Sequence, residues 1–237
     1  MFFASLPNEL IWFVMLAVSF CMILGVYRVL GVLGLYIWIP IVIIVANIQV
    51  VKTVELFGLT ATLGNIAYAT SFLVTDILSE NHGKAAARRA VWIGFFSIIA
   101  MTLFMNAALL YKPAEGDFAQ ESLVTIFSLM PRIAFASLAA YLMSQLHDVW
   151  AYQFWRKRFP SDKAIWIRNN ASTMVSQALD TVVFVAVAFW GQFELPVLVE
   201  IFITTYLMKW IVAAFDTPFI YAAKAMHKKG MVKVAID

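Results

Sequence analysis

The residues best suited to chemistry are polar side chains set inside apolar runs. Thr173, Gln177 and Asp180 recur at i, i+4 and i+7, with Ser176 and Thr181 flanking. That spacing puts them on one face of a helix. Arg132 follows Pro131, and Ser137, Tyr141, Ser144 and Asp148 form a second stripe at i, i+4, i+7 and i+11. A stripe of this kind lines a cavity or packs a helix against its neighbour. Lys209 and Asp216 lie seven apart in a third apolar run and share a face, the spacing of a structural charge pair. In the first half of the chain the polar set is Asn47, Gln49, Asn65, Thr70, Ser71, Thr75, Asp76 and Glu80. A charge near the centre of a bilayer costs about 2.5–3.5 kcal/mol on insertion scales, so it faces a partner or a wet cavity. Asp180 is the deepest carboxylate. It reads either as an ion pair with Arg132 or Lys209, or as a ligand contact, and the two are compatible. Arg132, about ten residues into its run, is placed roughly 15 Å deep. Asp76 and Glu80 sit near a helix end, where they are solvated, paired with Arg88 or Arg89, or in reach of a soluble molecule.

These stripes need a membrane to hold them. Of the 237 residues, 63% are hydrophobic and 13% charged, against roughly 25% charged in soluble domains. Apolar runs of about 20 residues recur throughout, which indicates helices rather than barrel strands. Seven spans are expected: 10–27, 33–51, 60–78, 91–111, 123–146, 172–191 and 197–223. Only Lys52–Leu59 separates the second from the third, so a tight hairpin is implied; merging the third span would leave six. Twelve of the 17 Lys and Arg fall in three segments. Ser79–Ala90 has Lys84, Arg88 and Arg89; Trp150–Asn170 has Arg156, Lys157, Arg158, Lys163 and Arg168; the tail has Lys224, Lys228, Lys229 and Lys233. The positive-inside rule makes these cytoplasmic. Seven spans then put the N-terminus outside and the C-terminus inside. Met1–Asn8 has no Lys or Arg, so the first helix is expected to stay in the mature protein.

Topology accounts for the net charge of +3, and no nucleic-acid partner is expected. Cys21 is the only cysteine; it allows no intrachain disulfide and reads as a small core residue. His82, His147 and His227 read as lying near the cytoplasmic edge, which argues against paired axial haem ligands. No nucleotide loop or nucleophile elbow is present. No enzymatic activity, cofactor or metal is expected.

Several separated motifs carry a resemblance. They are Ala46-Asn47-Ile-Gln, Glu55-Leu-Phe-Gly-Leu-Thr60, Thr70-Ser-Phe-Leu-Val-Thr75-Asp76-Ile-Leu-Ser-Glu80 with Gly83 and Arg88, and Pro131-Arg132-Ile-Ala-Phe-Ala-Ser137 with Gln145 and Asp148. Asn170-Ala-Ser172-Thr173 follows, with Ser176, Gln177, Asp180-Thr181 and Phe184. In this order, over about Leu33 to Ala223, the chain resembles the queuosine precursor transporters of the vitamin uptake transporter group. The resemblance implies an all-α polytopic membrane protein of the bacterial inner membrane. Its six-helix transport domain would cover 32–225, with an added transmembrane helix over 1–31 and a basic cytoplasmic tail over 226–237. It implies uptake of a 7-deazaguanine, cyano- or aminomethyl-substituted or queuine, for queuosine formation in tRNA. The layout is also similar to the binding subunits of energy-coupling-factor importers, which leaves an ATP-driven importer of another small nutrient as the alternative. Members of the group act without an ATPase module. Membrane lipid is an expected partner, and a homodimer through small-residue faces fits.

A deazaguanine is flat and aromatic, with N1–H and a 2-amino group as adjacent donors and O6 as acceptor. Carboxylates match the paired donors, amides serve O6, and aromatic faces sandwich the ring. The expected substrate-binding set is Asn47, Phe72, Asp76, Arg132, Asn170, Gln177, Asp180 and Phe184, with Tyr68 a further aromatic. Asp180 is assigned the guanidine-like edge and Arg132 its positioning or O6. The expectation is one mid-depth cavity shared by Asp180, Gln177 and Asn47.

Overall fold

The computed structural model describes residues 6–50, 52–127, 131–191 and 194–233. Residues 1–5 and 234–237, the outer ends of the expected N-terminal and tail segments, lie outside these, as do 192–193 in the loop before the last helix.

The first helix, α1 (Asn8–Gln49), has 42 residues. A straight helix of that length would extend about 63 Å, twice the hydrocarbon core of a bilayer. It is interrupted at Gly31, whose backbone (φ 59°, ψ −140°) is non-helical. Glycine tolerates that conformation and L residues do not. A Cβ there would also meet the Lys233 carbonyl oxygen. The break falls between the first two expected spans, and the second half of α1 returns the chain to its starting side. There Asn8 Nδ2 donates to the Glu55 carbonyl at 3.0 Å, and the Phe57 N–H donates to Glu9 at 3.0 Å. The short connection expected over Lys52–Leu59 is an antiparallel hairpin of β1 (Thr53–Leu56) and β2 (Leu59–Thr62), so Thr60–Thr62, expected in the third span, are strand and the helix starts only at Gly64. Its central residues Phe57 (φ 54°) and Gly58 (φ 74°) are both left-handed, as the two-residue type I′ turn requires.

Next come α2 (Gly64–Asn81), α3 (Lys84–Ala108) and α4 (Gln120–Phe127). After α5 (Pro131–Arg158), a 3₁₀ turn (Asp162–Ala164) leads into α6 (Ile165–Phe189) and α7 (Leu195–Lys228). Of the expected fifth span, 123–146, residues 128–130 lie outside the described residues; on either side the chain is helical, as α4 to Phe127 and as α5 from Pro131. α5 then runs on through Asp148 to Arg158. Beginning at Ala69, α2 is buried on all sides through Glu80, and it packs against α1, α3, α5 and α7. It is the central helix, and α6 packs against α5 and α7.

Polarity is inverted relative to a soluble protein. Large apolar side chains face outward, among them Phe96, Leu103, Phe104, Ile203, Leu207 and Phe215. Asp76, Asp148, Arg168, Gln177, Asp180 and Lys209 are buried. Cys21 is exposed on the outside of α1 rather than in the core. Among the described residues three stretches qualify by length and apolarity as membrane spans: Asn8–Gln49, Lys84–Ala108 and Asp162–Phe189. α2, α5 and α7 carry buried charges of their own. An apolar exterior around a polar interior, built from helices of this length, makes the chain an all-α membrane protein.

Candidate functional site

The polar stripes of α2, α5, α6 and α7 meet inside the bundle in three tiers, ordered along α6 from its C-terminal to its N-terminal end.

The first tier is built on Asp180. Its carboxylate accepts hydrogen bonds from the Tyr68 hydroxyl on α2 and from Ser144 Oγ on α5 (3.0 Å). Lys209 of α7 donates to its other oxygen. The Lys209 ammonium also lies 5.2 Å from the centroid of the Tyr68 ring, a cation–π contact. Asp180 thus has three donors of the protein's own on its carboxylate, one of them a cation. Its partner is Lys209, not Arg132. Arg132 is exposed at the start of α5, where Nε and a terminal nitrogen donate to the carbonyls of Val187 (2.7 Å) and Trp190 (2.6 Å). It caps the C-terminal end of α6 and is not at mid-depth. The expected pairing of Lys209 with Asp216 does not form either.

The second tier holds three carboxylates: Asp76 on α2, Asp148 on α5 and Asp216 on α7, each at most 1% exposed. Thr173 Oγ1 donates to one oxygen of Asp76 at 3.0 Å, and the other oxygen has no partner. Asn169 Nδ2 donates to Asp216 at 2.6 Å and to Thr217 Oγ1 at 3.1 Å, leaving Asn169 Oδ1 unpartnered. Asp148 lies beside Asp76, Ser172, Thr173 and Ser176, yet neither of its oxygens makes a well-formed hydrogen bond. Among the described residues no Lys, Arg or His forms an ion pair with any of the three. Gln177 lies on the same buried face of α6, between Thr173 and Asp180, with both amide atoms unpartnered. His147 sits in the body of α5, away from the edge where the sequence reading put it, and its Nδ1 is 3.0 Å from Ser176 Oγ.

The third tier closes the end where the basic segments gather. Glu80 accepts from Arg168 (2.7 Å), from Lys224 and from the Tyr152 hydroxyl (3.0 Å). Arg156 donates to the Ser79 carbonyl at 2.6 Å. Glu80 is thus buried and paired across the bundle, not with Arg88 or Arg89. Lys224 and Lys228 both pair with Asp162, and their hydrogen bonds hold its carboxyl down at about 2. Beside this tier the Tyr27 hydroxyl lies 2.8 Å from His82 Nε2 and accepts from Asn81 at 3.1 Å. The His82 and His227 rings are 4.9 Å apart. Burial, with the charge of His227 adding to it, lowers the His82 imidazole to about 4.

Of the expected set, the structure brings Asp76, Gln177 and Asp180 into this interior. Phe72 is fully buried on α2 between Tyr68 and Asp76, its ring edge-on to Tyr68 at 5.8 Å. Asn170 borders the second tier through Thr217 (2.8 Å) while also bonding the Trp166 carbonyl. Asn47 is elsewhere: half-buried on α1, it donates to the Ile43 carbonyl of its own helix at 2.8 Å. Phe184 is half-buried and packs edge-on to Phe189 at 5.8 Å. Asn169 was not expected. The Thr173–Gln177–Asp180 stripe, extended back one turn at i−4, reaches it.

Comparison with known proteins decides the lineage. The family described as "Putative vitamin uptake transporter" matches residues 62–223. The chain belongs to the vitamin uptake transporter family. A relative from Bacillus subtilis (strain 168), "Probable queuosine precursor transporter", is 48% identical over 92% of this chain and 96% of its own length. The "Queuosine precursor transporter" of Escherichia coli (strain K12) is 27% identical over 63% of this chain and 65% of its own. A Haemophilus influenzae relative, also "Probable queuosine precursor transporter", is 28% identical over 56% of this chain and 54% of its own. No solved structure matches. The family match runs from the end of β2 into α7, so it contains α2, α5 and α6 whole and α7 up to Ala223, with Lys224 and Lys228 of the third tier beyond it. It leaves out the whole of α1 and β1.

Proposed function

We propose that this chain imports queuosine precursors, 7-deazaguanines destined for tRNA, across the bacterial inner membrane. The observation that carries the reading is the 48% identity to a relative of that name over nearly the whole chain. It is supported by a polar interior in a bundle with an apolar exterior. Membership of a transporter family makes the chain a carrier and not an enzyme.

Gln177 is the group best suited to the ring. A buried amide with one free donor and one free acceptor complements the lactam edge, where O6 accepts and N1–H donates. Phe72 and Tyr68 flank the same region with aromatic surface. Asp180, bonded to Tyr68, Ser144 and Lys209, positions this region, while Asp76 contributes a free acceptor. Asn170 borders the path. Asn47, Arg132 and Phe184 would reach substrate only after a rearrangement of α1, α5 or α6.

The transport domain is assigned to 32–225, with an added helix over 1–31 and a tail over 226–237. Clustering of Arg156, Arg168, Lys224 and Lys228 at one end supports a cytoplasmic C-terminus, with the N-terminus outside. The chain works in lipid without an ATPase module, and a homodimer is part of the same reading. The test is rescue of queuosine-tRNA in a strain lacking both precursor synthesis and uptake. Expressing this chain should restore the modified tRNA when 7-deazaguanine is supplied. No restoration with any precursor, at normal membrane levels of the protein, would overturn the reading.

A further inference from the structure

The middle tier has a charge problem that the other two do not. Asp180 has Lys209, and Glu80 has Arg168 and Lys224. Asp76, Asp148 and Asp216 have no cation, although they interact with one another across three helices. Ionised carboxylates in a low-dielectric interior are untenable without positive charge or protonation. The described residues include no group of three His, Cys, Asp or Glu arranged to hold a metal ion.

The unpartnered atoms show what is missing. Asp76 offers one free oxygen, Asp148 two and Asn169 its Oδ1, all fully buried. Asn169 is tied to the cluster through its amide nitrogen on Asp216, which leaves its Oδ1 buried and without a partner. Every one of these four atoms is an acceptor. A bare proton would satisfy a single carboxyl pair. A primary ammonium carries positive charge and three N–H donors, and would satisfy three of the four. The groups facing this position are Asp76 from α2, with Tyr152 and His147 of α5 near the cluster, Asp148 from α5, Asn169, Ser172, Thr173 and Ser176 from α6, and Asp216 from α7.

We propose that Asp76, Asp148 and Asn169 form a subsite for a protonated amine on the transported molecule, so that the carrier selects a cationic deazapurine over a neutral one with the same ring. This rests on the import reading above and narrows its substrate. The ring lies toward Gln177 and the amine toward the acidic tier. Hydrogen bonds between charged partners are the stronger class, and the subsite loses most of that advantage when the ligand is neutral.

The experiment measures binding by the purified full-length chain, in detergent or lipid, of 7-aminomethyl-7-deazaguanine and 7-cyano-7-deazaguanine. The wild type should bind the aminomethyl compound at least tenfold more tightly. Asp148→Asn should cut affinity for that compound about tenfold or more, while affinity for the cyano compound changes less than threefold. Equal wild-type affinity for the two compounds overturns the subsite while leaving the import reading intact, and it does so without any variant. A variant that weakens both ligands equally would assign the carboxylates to general architecture. Uptake that depends on a proton gradient, with the wild-type preference for the amine unaltered in Asp148→Asn, would assign them to protons; either result overturns the proposal. Wild-type protein that binds neither compound removes the import reading and the subsite together.

Discussion

The Asp180 tier and the Asp76–Asp148–Asp216 tier lie in the same bundle about a helical turn or two apart, and they solve the burial of carboxylates in opposite ways. Asp180 takes three protein donors, one of them a cation that also rests against the Tyr68 ring. The middle tier gathers three carboxylates around hydroxyls and one amide, with four acceptor atoms left over. A carboxylate with its own cation and two hydroxyl donors has less to offer a ligand than one with none. Unsatisfied buried acceptors are tolerated where something else periodically fills them. The deepest carboxylate is thus the least available, and the available ones lie a turn or two closer to the basic end.

Breaking the first tier should have the largest effect. Lys209→Met leaves Asp180 buried without its cation and should destabilise the protein by about 3–5 kcal/mol, read as the thermal midpoint in detergent. Adding Asp180→Asn should recover most of that loss. If Lys209→Met melts like the wild type, the two tiers do not differ as described. In the middle tier the sign reverses. Asp148→Asn removes a charge that has no partner, and should leave stability unchanged or raise it by about 1–3 kcal/mol. A loss of that size would reveal a stabilising contact for Asp148. Gln177→Leu is the smaller case: replacing an amide with two unpaired atoms by an apolar side chain should gain about 1 kcal/mol while transport falls.

The smallest effect sharpens the comparison at the basic end. The His82 imidazole is held neutral by burial, at about 4 against an ordinary 6.5. The unfolded chain binds that proton first, so stability is full above about 6.5 and declines as pH falls toward 4. His82→Gln should flatten this part of the melting-versus-pH curve. An unchanged slope would place the pH sensitivity elsewhere, the carboxylate tiers included.

Much of this was legible before any coordinates. Hydropathy marked the chain as a helical membrane protein, a tight connection was implied over Lys52–Leu59, and the α6 periodicity put Gln177 and Asp180 on one buried face. What failed has physical causes. Counting from Leu123 puts Arg132 at mid-depth, but its guanidinium bonds the Val187 and Trp190 carbonyls at the C-terminal end of α6. Lys209 and Asp216 share a face, as seven-residue spacing requires. Each nevertheless meets a different residue of α6, because that helix offers Asp180 at one height and Asn169 at another. Spacing along one helix gives a face; a partner depends on what stands opposite at the same height. Asn47 illustrates the same limit, since its amide had a carbonyl of its own helix within reach.

The most direct measurement is stabilisation by ligand. A molecule that binds only the folded state at 100 times its dissociation constant adds about 2.7 kcal/mol. With a 7-deazaguanine in such excess, the wild-type melting midpoint should rise clearly, whereas Gln177→Leu, although at least as stable alone, should show little or no rise. An equal rise in both would mean that the ring binds away from the interior of α2, α5, α6 and α7, and would contradict the site described.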